Sequence, residues 1–289
     1  MKNLKQFIVL FILRITRKMH ILTTYYSDSK FDSETCIVCG ENKGVIKVGV
    51  LWPGLIIEWG LSASWANWMD QREGLQCASC KSNLRSIQLA KAILLKINDK
   101  LNIKALTFLD LCETESIQKL KIAEINSAGT LHPYLSKIRS LYYSEYGSES
   151  TSIPSEDLLD LSYPDDFFDL VVNSDVLEHV PDVSKALAEI KRVLKPDGYY
   201  IFSIPVIWVQ RHTRQRAKLH NSSIRNISPP SYHGSKENKK NDFLVFYEFG
   251  EDFIDICKDS GLILELVKDT RNPSLVTFIA TKNDYPLKL

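Results

Sequence analysis

Apolar positions along the chain alternate between two rhythms. In "SIQLAKAILLKIND" (86 to 99) Ile87, Ala90, Ile93 and Leu94 fall on one helical face, and "VSKALAEIKRVL" (183 to 194) repeats that pattern. Between and after them come short apolar runs of strand length: "ALTFLDL" (105 to 111), "LYYSEY" (141 to 146), "FFDLVVNSD" (167 to 175) and "GYYIFSIP" (198 to 205). A polar helical stretch follows Glu113. The helix "EDFIDICKDSG" (251 to 261) ends at Gly261, and "LILELVKD" and "LVTFIATK" read as two closing strands. Strands alternating with helices predict an α/β fold, a Rossmann-like mainly parallel sheet with helices on both faces and a mixed edge from the closing pair. Such sheets bind ligands beyond the carboxyl ends of their strands, so functional residues are expected just after each strand.

The 289 residues suit one catalytic-sized unit with a small appendage. The boundaries fall at 1–30 for an amphipathic or poorly ordered leading segment, 31–88 for a cysteine module and 89–289 for the α/β domain. The apolar run between Lys5 and Arg14 is shorter than the ~20 residues of a membrane span and no small-residue cleavage site follows it, which leaves at most peripheral membrane contact through residues 1–20. A formal charge of +1 provides no global field toward nucleic acid or acidic lipid, so any basic site must be local.

Four of the six cysteines form two C-x-x-C pairs, Cys36 with Cys39 and Cys77 with Cys80. Two such turns complete the tetrahedral sulfur shell that Zn²⁺ takes in structural sites, giving a small four-cysteine zinc-ribbon-like module. Two disulfides or a thioredoxin-like redox pair are the alternatives. Against them stand the expected reducing, cytoplasmic compartment and the absence of a βαβ setting for either pair. Trp52, Trp59, Trp65 and Trp68 lie between the pairs and are expected to pack a module too small to hold itself by apolar burial alone. Cys112 and Cys257 are expected to be buried small hydrophobes.

The stretch from Pro154 to Pro205, with "FDLVV", "LEHV" and "RVLKPDG", resembles the class I S-adenosylmethionine-dependent methyltransferases (methyltransferase type 11). "REGLQCASCKSNLRSIQLA", "PPSYHG" and "DFIDICKDSGL" are similar to a subgroup with an N-terminal zinc-ribbon-like module, often tied to glycan biosynthesis. The resemblance implies S-adenosyl-L-methionine as cofactor. It places Glu156, Asp157 and Leu158 at the adenine, Glu145 at the ribose hydroxyls with Glu149 four residues on as the alternative, and Asn173, Ser174 and Asp175 beside the methionine moiety and the transferred methyl. Asp110, Cys112 and Glu113 fall where an acidic residue and a glycine-rich turn are usual, and the glycines are missing there. In the resemblance the "LEHV" histidine, His179, organises its loop.

Methyl transfer to a hydroxyl is an in-line displacement that requires positioning and removal of one proton. The segment 206–242 carries Arg211, His212, Arg214, Arg216, Lys218, His220, Arg225 and His233 and is expected to fold over the site as a lid that shapes the acceptor pocket. His233 and His220 are the expected general bases, with Asp175 beside the methyl. The basic side chains suit an acidic or phosphorylated small-molecule or saccharide acceptor. A degenerate methyltransferase fold serving as a binding scaffold is the second reading. Nucleic-acid modification, disfavoured by the neutral charge, is the third.

Overall fold

A computed structural model describes residues 21–27, 35–51, 53–221, 223–233 and 243–282. Residues 1–20 and Trp52 lie outside the described residues, as does the 234–242 part of the expected lid.

In chain order the elements are β1 (Ile21–Ser27), β2 (Val45–Lys47), α1 (Pro53–Glu58), α2 (Ala63–Gly74), β3 (Leu75–Cys77), α3 (Leu84–Leu101), α4 (Phe108–Glu113) and β4 (Ile122–Ile125). There follow α5 (His132–Leu135), β5 (Leu141–Ser144), β6 (Phe168–Ser174), α6 (Val183–Val193) and β7 (Leu194–Ser203). The last part contains β8 (Arg214–Gln215), β9 (Ala217–His220), β10 (Ser223–Asn226), β11 (Tyr247–Glu248), α7 (Phe253–Asp259), β12 (Leu262–Asp269) and β13 (Val276–Lys282). The central sheet runs β1-β12-β13-β7-β6-β4-β5. The pairs β4/β5, β4/β6, β6/β7 and β1/β12 are parallel, whereas β13 is antiparallel to both neighbours, with Val172 opposite Ile201 and Leu264 opposite Ala280.

Every residue of β4 and β6 is buried, as expected of central parallel strands covered on both faces. One face packs on α6 and α7 around Val171, Leu187, Phe202 and Phe278, and the other on α3 and α4 around Ile93, Leu111, Val172 and Ile201. Helix α3 begins where the Asn83 side chain accepts Ser86 N and ends at Asn102, whose left-handed backbone (φ 51) stops it. Helix α6 is capped by Asp182 and buries Val183, Ala186, Leu187, Ile190 and Val193 on one stripe.

The mainly parallel α/β sheet matches the expectation, with three corrections. "ALTFLDL" is not a strand. Thr107 caps a helix over Phe108–Glu113, its hydroxyl accepting Asp110 N while the Asp110 carboxylate accepts Thr107 N, so local capping overrides the apolar run. The strand of that unit is β4, a four-residue run. The closing antiparallel pair lies at one end of the sheet but is not its outermost edge, because β1 lies beyond β12. Residues 21–27, assigned to the leading segment, add a strand beside β12.

Candidate active site

After β4 the chain moves to β5 on one side, and β6 lies on the other. The carboxyl ends of β4 and β6 therefore flank the point where the winding direction reverses, the crevice that open α/β sheets offer to ligands. Asn126 (φ 55) and Gly129 (φ 64) bend the loop that leaves β4, and a side chain built at Gly129 would meet no atom within 4 Å, so backbone there borders open space. Glu124, fully buried at the end of β4, accepts Ala128 N at 2.7 Å and pairs with His132 Nδ1 at 2.7 Å. Burial pushes its carboxyl upward, opposed by those two bonds. His132 packs on Tyr143 with ring centroids 4.2 Å apart, and the Tyr143 hydroxyl donates to Glu145. One polar chain thus joins the ends of β4 and β5.

Glu145 follows β5 directly, as the sequence places it. Across the next loop, Glu156 is buried and accepts Ser162 N, Asp157 accepts Leu159 N at 2.8 Å, and Leu158 enters the core. Glu145 and Ser155 form a parallel bridge, so these residues stand beside the β5 end.

At the end of β6, Asn173 accepts the Tyr200 hydroxyl and Ser174 meets Ser203 and Arg85. Asp175, in a left-handed conformation (φ 53), is held bidentately by Arg72 at 2.8 and 2.7 Å and by Ser203 at 2.7 Å. Burial alone would raise its carboxyl, but Arg72 and Arg85 outweigh that and hold it well below the usual carboxylate range. Glu73 bonds both arginines, closing a balanced group of two cations and two anions. Arg72 and Glu73 come from α2, inside the cysteine module.

Glu178 and His179 follow in a short turn. A strap over 243–249 is tied to that turn, with Phe246 N bonded to Glu178 O at 2.7 Å and His179 Nδ1 3.0 Å from Leu244 O. His233 joins the strap through its N–H to Phe243 O, and its ring packs on Trp59 and His179. Burial, and then the neighbouring His179, push His233 below its ordinary range.

The structure thus brings Glu145, Glu156, Asp157, Leu158, Asn173, Ser174, Asp175 and His233 to the carboxyl ends of the strands. His220 is exposed where β9 meets β10 and stands outside the acid and imidazole group. Asp110, Cys112 and Glu113 are on α4: the Cys112 carbonyl accepts Gln118 Nε2 and Glu113 pairs with Lys137 at 2.6 Å, both ahead of the amino ends of β4 and β5. Their expected place after a strand is corrected with the strand itself. The end of β4 and the loop leaving it instead carry Glu124, Asn126 and Gly129, and the sequence signal for them was "EINSAG". Arg72, Arg85 and Trp59 were also missed.

Two buried polar atoms here, Thr130 Oγ1 and Asn173 Nδ2, have no protein partner. Together with the open backbone at Gly129 and the Glu145 carboxylate, they suit a polar nucleotide-like cofactor lying across β4, β5 and β6.

The four cysteines form one cluster. Cys36 Sγ lies 3.8 Å from Cys80 Sγ and Cys39 Sγ 3.9 Å from Cys77 Sγ, too far for disulfides. A tetrahedral shell with metal–sulfur bonds of about 2.3 Å separates its sulfurs by roughly 3.8 Å, so the spacing fits. Val38, between the first pair, is fully buried against α3 and α4, and Ile37 O and Val38 O accept the N–H groups of Phe108 and Leu109.

A doubly covered α/β sheet with a polar crevice at its switch point defines a nucleotide-type binding fold. Residues 138–202 match the family model described as a methyltransferase domain. Similar solved structures include an S-adenosylmethionine-dependent methyltransferase from Mesorhizobium loti, 17% identical over 60% of this chain and 94% of that one, with a TM-score of 0.38. Another, from Clostridium acetobutylicum, is 14% identical over 66% of this chain and 98% of that one, with a TM-score of 0.39. None of the curated proteins compared matches the chain. Among the described residues no helix is long and apolar enough to cross a membrane.

Proposed function

We propose that the protein transfers a methyl group from S-adenosyl-L-methionine to a hydroxyl or amine of a small-molecule or saccharide acceptor carrying acidic or phosphate groups. The observation that carries this reading is that Glu145 and the unpartnered Asn173 Nδ2 and Thr130 Oγ1 stand at or after the carboxyl ends of β5, β6 and β4, which flank the switch point. When bound there, the sulfonium cofactor supplies an activated methyl group. Glu145 holds the ribose hydroxyls, Glu156, Asp157 and Leu158 border the adenine, and Asn173 with Ser174 lies beside the methionine end. Asp175 is committed to Arg72 and positions the β6 loop, while Glu178 and His233 are the groups placed to deal with the acceptor's proton.

The acceptor lies under the segment running from Val206 to His233, whose exposed Arg214, Lys218 and Arg225 favour an anionic group. Arg216 is not among these contacts, because it is buried and bonded to Glu248 and Pro229 O. In the cysteine cluster the bound ion is Zn²⁺ in a purely structural role, with all four positions filled by protein.

Calorimetric titration with S-adenosylmethionine and S-adenosylhomocysteine tests the reading. Micromolar binding, weakened about tenfold in Glu145→Gln through loss of a charged hydrogen bond, is expected. Absence of binding at millimolar ligand would instead make the protein a scaffold built on this fold.

A further inference from the structure

Glu178 has no exposed surface, and neither of its carboxylate oxygens has a hydrogen-bond partner. Two imidazole nitrogens face it: His179 Nε2 and His233 Nδ1 each lie 3.7 Å from Oε1. At that separation neither imidazole makes a hydrogen bond to it. The nearby guanidiniums do not satisfy it either, since Arg72 and Arg85 bond Glu73 and Asp175. Two cations and two anions balance, and Glu178 is the carboxylate left over. Burial pushes that carboxyl upward, toward its neutral form, unless a cation joins it.

The surroundings fit a metal ion. One ligand atom from each of Glu178, His179 and His233 lies within 4.8 Å of the others. A tetrahedral shell with bonds near 2.1 Å places its ligand atoms about 3.4 Å apart, so the two 3.7 Å separations need only slight closure, while the two imidazole nitrogens must approach each other by up to about 1.4 Å through side-chain rotation. His179 Nδ1–H donates to Leu244 O at 3.0 Å, which leaves the lone pair on Nε2 facing Glu178; this is the outer hydrogen bond that orients ligating histidines. The frame is tied from both sides, by Phe246 N to Glu178 O and by His233 N to Phe243 O, and Trp59 closes edge-on against His233.

We propose that Glu178, His179 and His233 bind one divalent first-row transition-metal ion, with its remaining coordination positions open to ligand. One carboxylate with two imidazoles selects such ions over Mg²⁺ or Ca²⁺, which prefer all-oxygen shells. Beside Asp175 at the carboxyl end of β6, the ion lowers the pKa of an acceptor hydroxyl that reaches it; the proton passes to solvent water, the oxygen bonds the methyl carbon, and the carbon–sulfur bond breaks to leave S-adenosylhomocysteine. That role rests on the methyltransferase reading; the binding itself does not.

The probe is Co²⁺, titrated into protein whose cysteine cluster already holds Zn²⁺. The expected result is one equivalent bound with weak visible bands and without the intense thiolate charge-transfer absorption that cysteine ligation would give. Glu178→Gln and His233→Ala should each weaken binding at least about tenfold, the loss expected even for an outer partner of a ligand. Without added metal, Glu178→Gln should leave the unfolding midpoint unchanged or higher, because it replaces a buried carboxyl whose oxygens have no hydrogen-bond partner. With Co²⁺ the wild-type midpoint should rise and that of Glu178→Gln should not. Binding that is absent, or equal in wild type and both variants, overturns the proposal, as does a metal-free midpoint lowered by Glu178→Gln, which would mark a satisfied structural carboxylate. Calorimetry with S-adenosylmethionine on the same variants separates the two readings. Cofactor binding retained where Co²⁺ binding is lost supports a separate cation site; Co²⁺ bound without cofactor binding leaves the site standing and removes the methyltransferase reading.

Discussion

Arg72 reaches from the cysteine module to the end of β6, where it bonds both oxygens of a residue 103 positions away. Its side chain is 2% exposed and that of Asp175 is 17% exposed, so the pair is largely removed from water. Removing one partner of such a pair strands the other as a buried charge. Arg72→Met should therefore cost about 3 kcal/mol in urea unfolding, with Arg72→Met/Asp175→Asn less destabilised than the sum of the singles. The pH dependence has a definite sign. Asp175 is held below its unfolded value, so its contribution is complete above the ordinary carboxylate range near about pH 4 and is lost as pH falls through its lower folded value. Asp175→Asn should remove that part of the acid sensitivity while leaving the slope above pH ~5 unchanged; an unchanged acid limb would show that the pair carries no linkage. None of this was legible in the sequence, where Arg72 is one basic residue of a helix. Asp175 was legible because it ends a strong strand, and Glu145 for the same reason.

At the scale of elements, the sequence was readable wherever one rhythm dominated. The α6 pattern fixes a helix that burial follows along one stripe, α3 buries its predicted face and residues beside it, and β6 is buried throughout. It failed between Ala105 and Ile125 because two short runs competed. "ALTFLDL" is the longer, yet Thr107 and Asp110 supply the reciprocal cap of a helix start. "IAEI" is shorter and contains a charged residue, yet Glu124 finds Ala128 N and His132 and can be buried. Its helix partner decides where the first functional loop falls. Thr107→Ala should lower stability by about 1 kcal/mol through loss of the cap, read as a shift in urea midpoint without a change in slope. A neutral result would mean that contact with the cysteine knuckle, through Phe108 and Leu109, holds α4 without its cap. Gly198 lies within β7, and its constraint is space, because an added Cβ would sit 2.8 Å from Phe168 O.

At the scale of the molecule, the cysteine module and the sheet share one core and one site. Val38 packs with Ile93, Leu111 and Val172, the knuckle carbonyls cap α4, Asn272 bonds Trp68 O, and Trp59 bonds Ser231 beside His233. Each contact crosses from the module into the part of the chain that carries the crevice. Loss of the structural ion should therefore be felt far from the cysteines. Stripping it with a strong chelator, or substituting Cys36→Ser, should lower the unfolding midpoint of the whole protein in a single transition and weaken S-adenosylmethionine binding. Amide exchange should rise at Phe108 and Leu109 and in the loop after β6, where Arg72 would no longer hold Asp175. The alternative is a module joined only by the chain: two separate transitions, with cofactor affinity unaltered by the chelator. That outcome would leave Arg72 and Trp59 as surface packing, whereas a single transition with weakened binding makes the module part of the site.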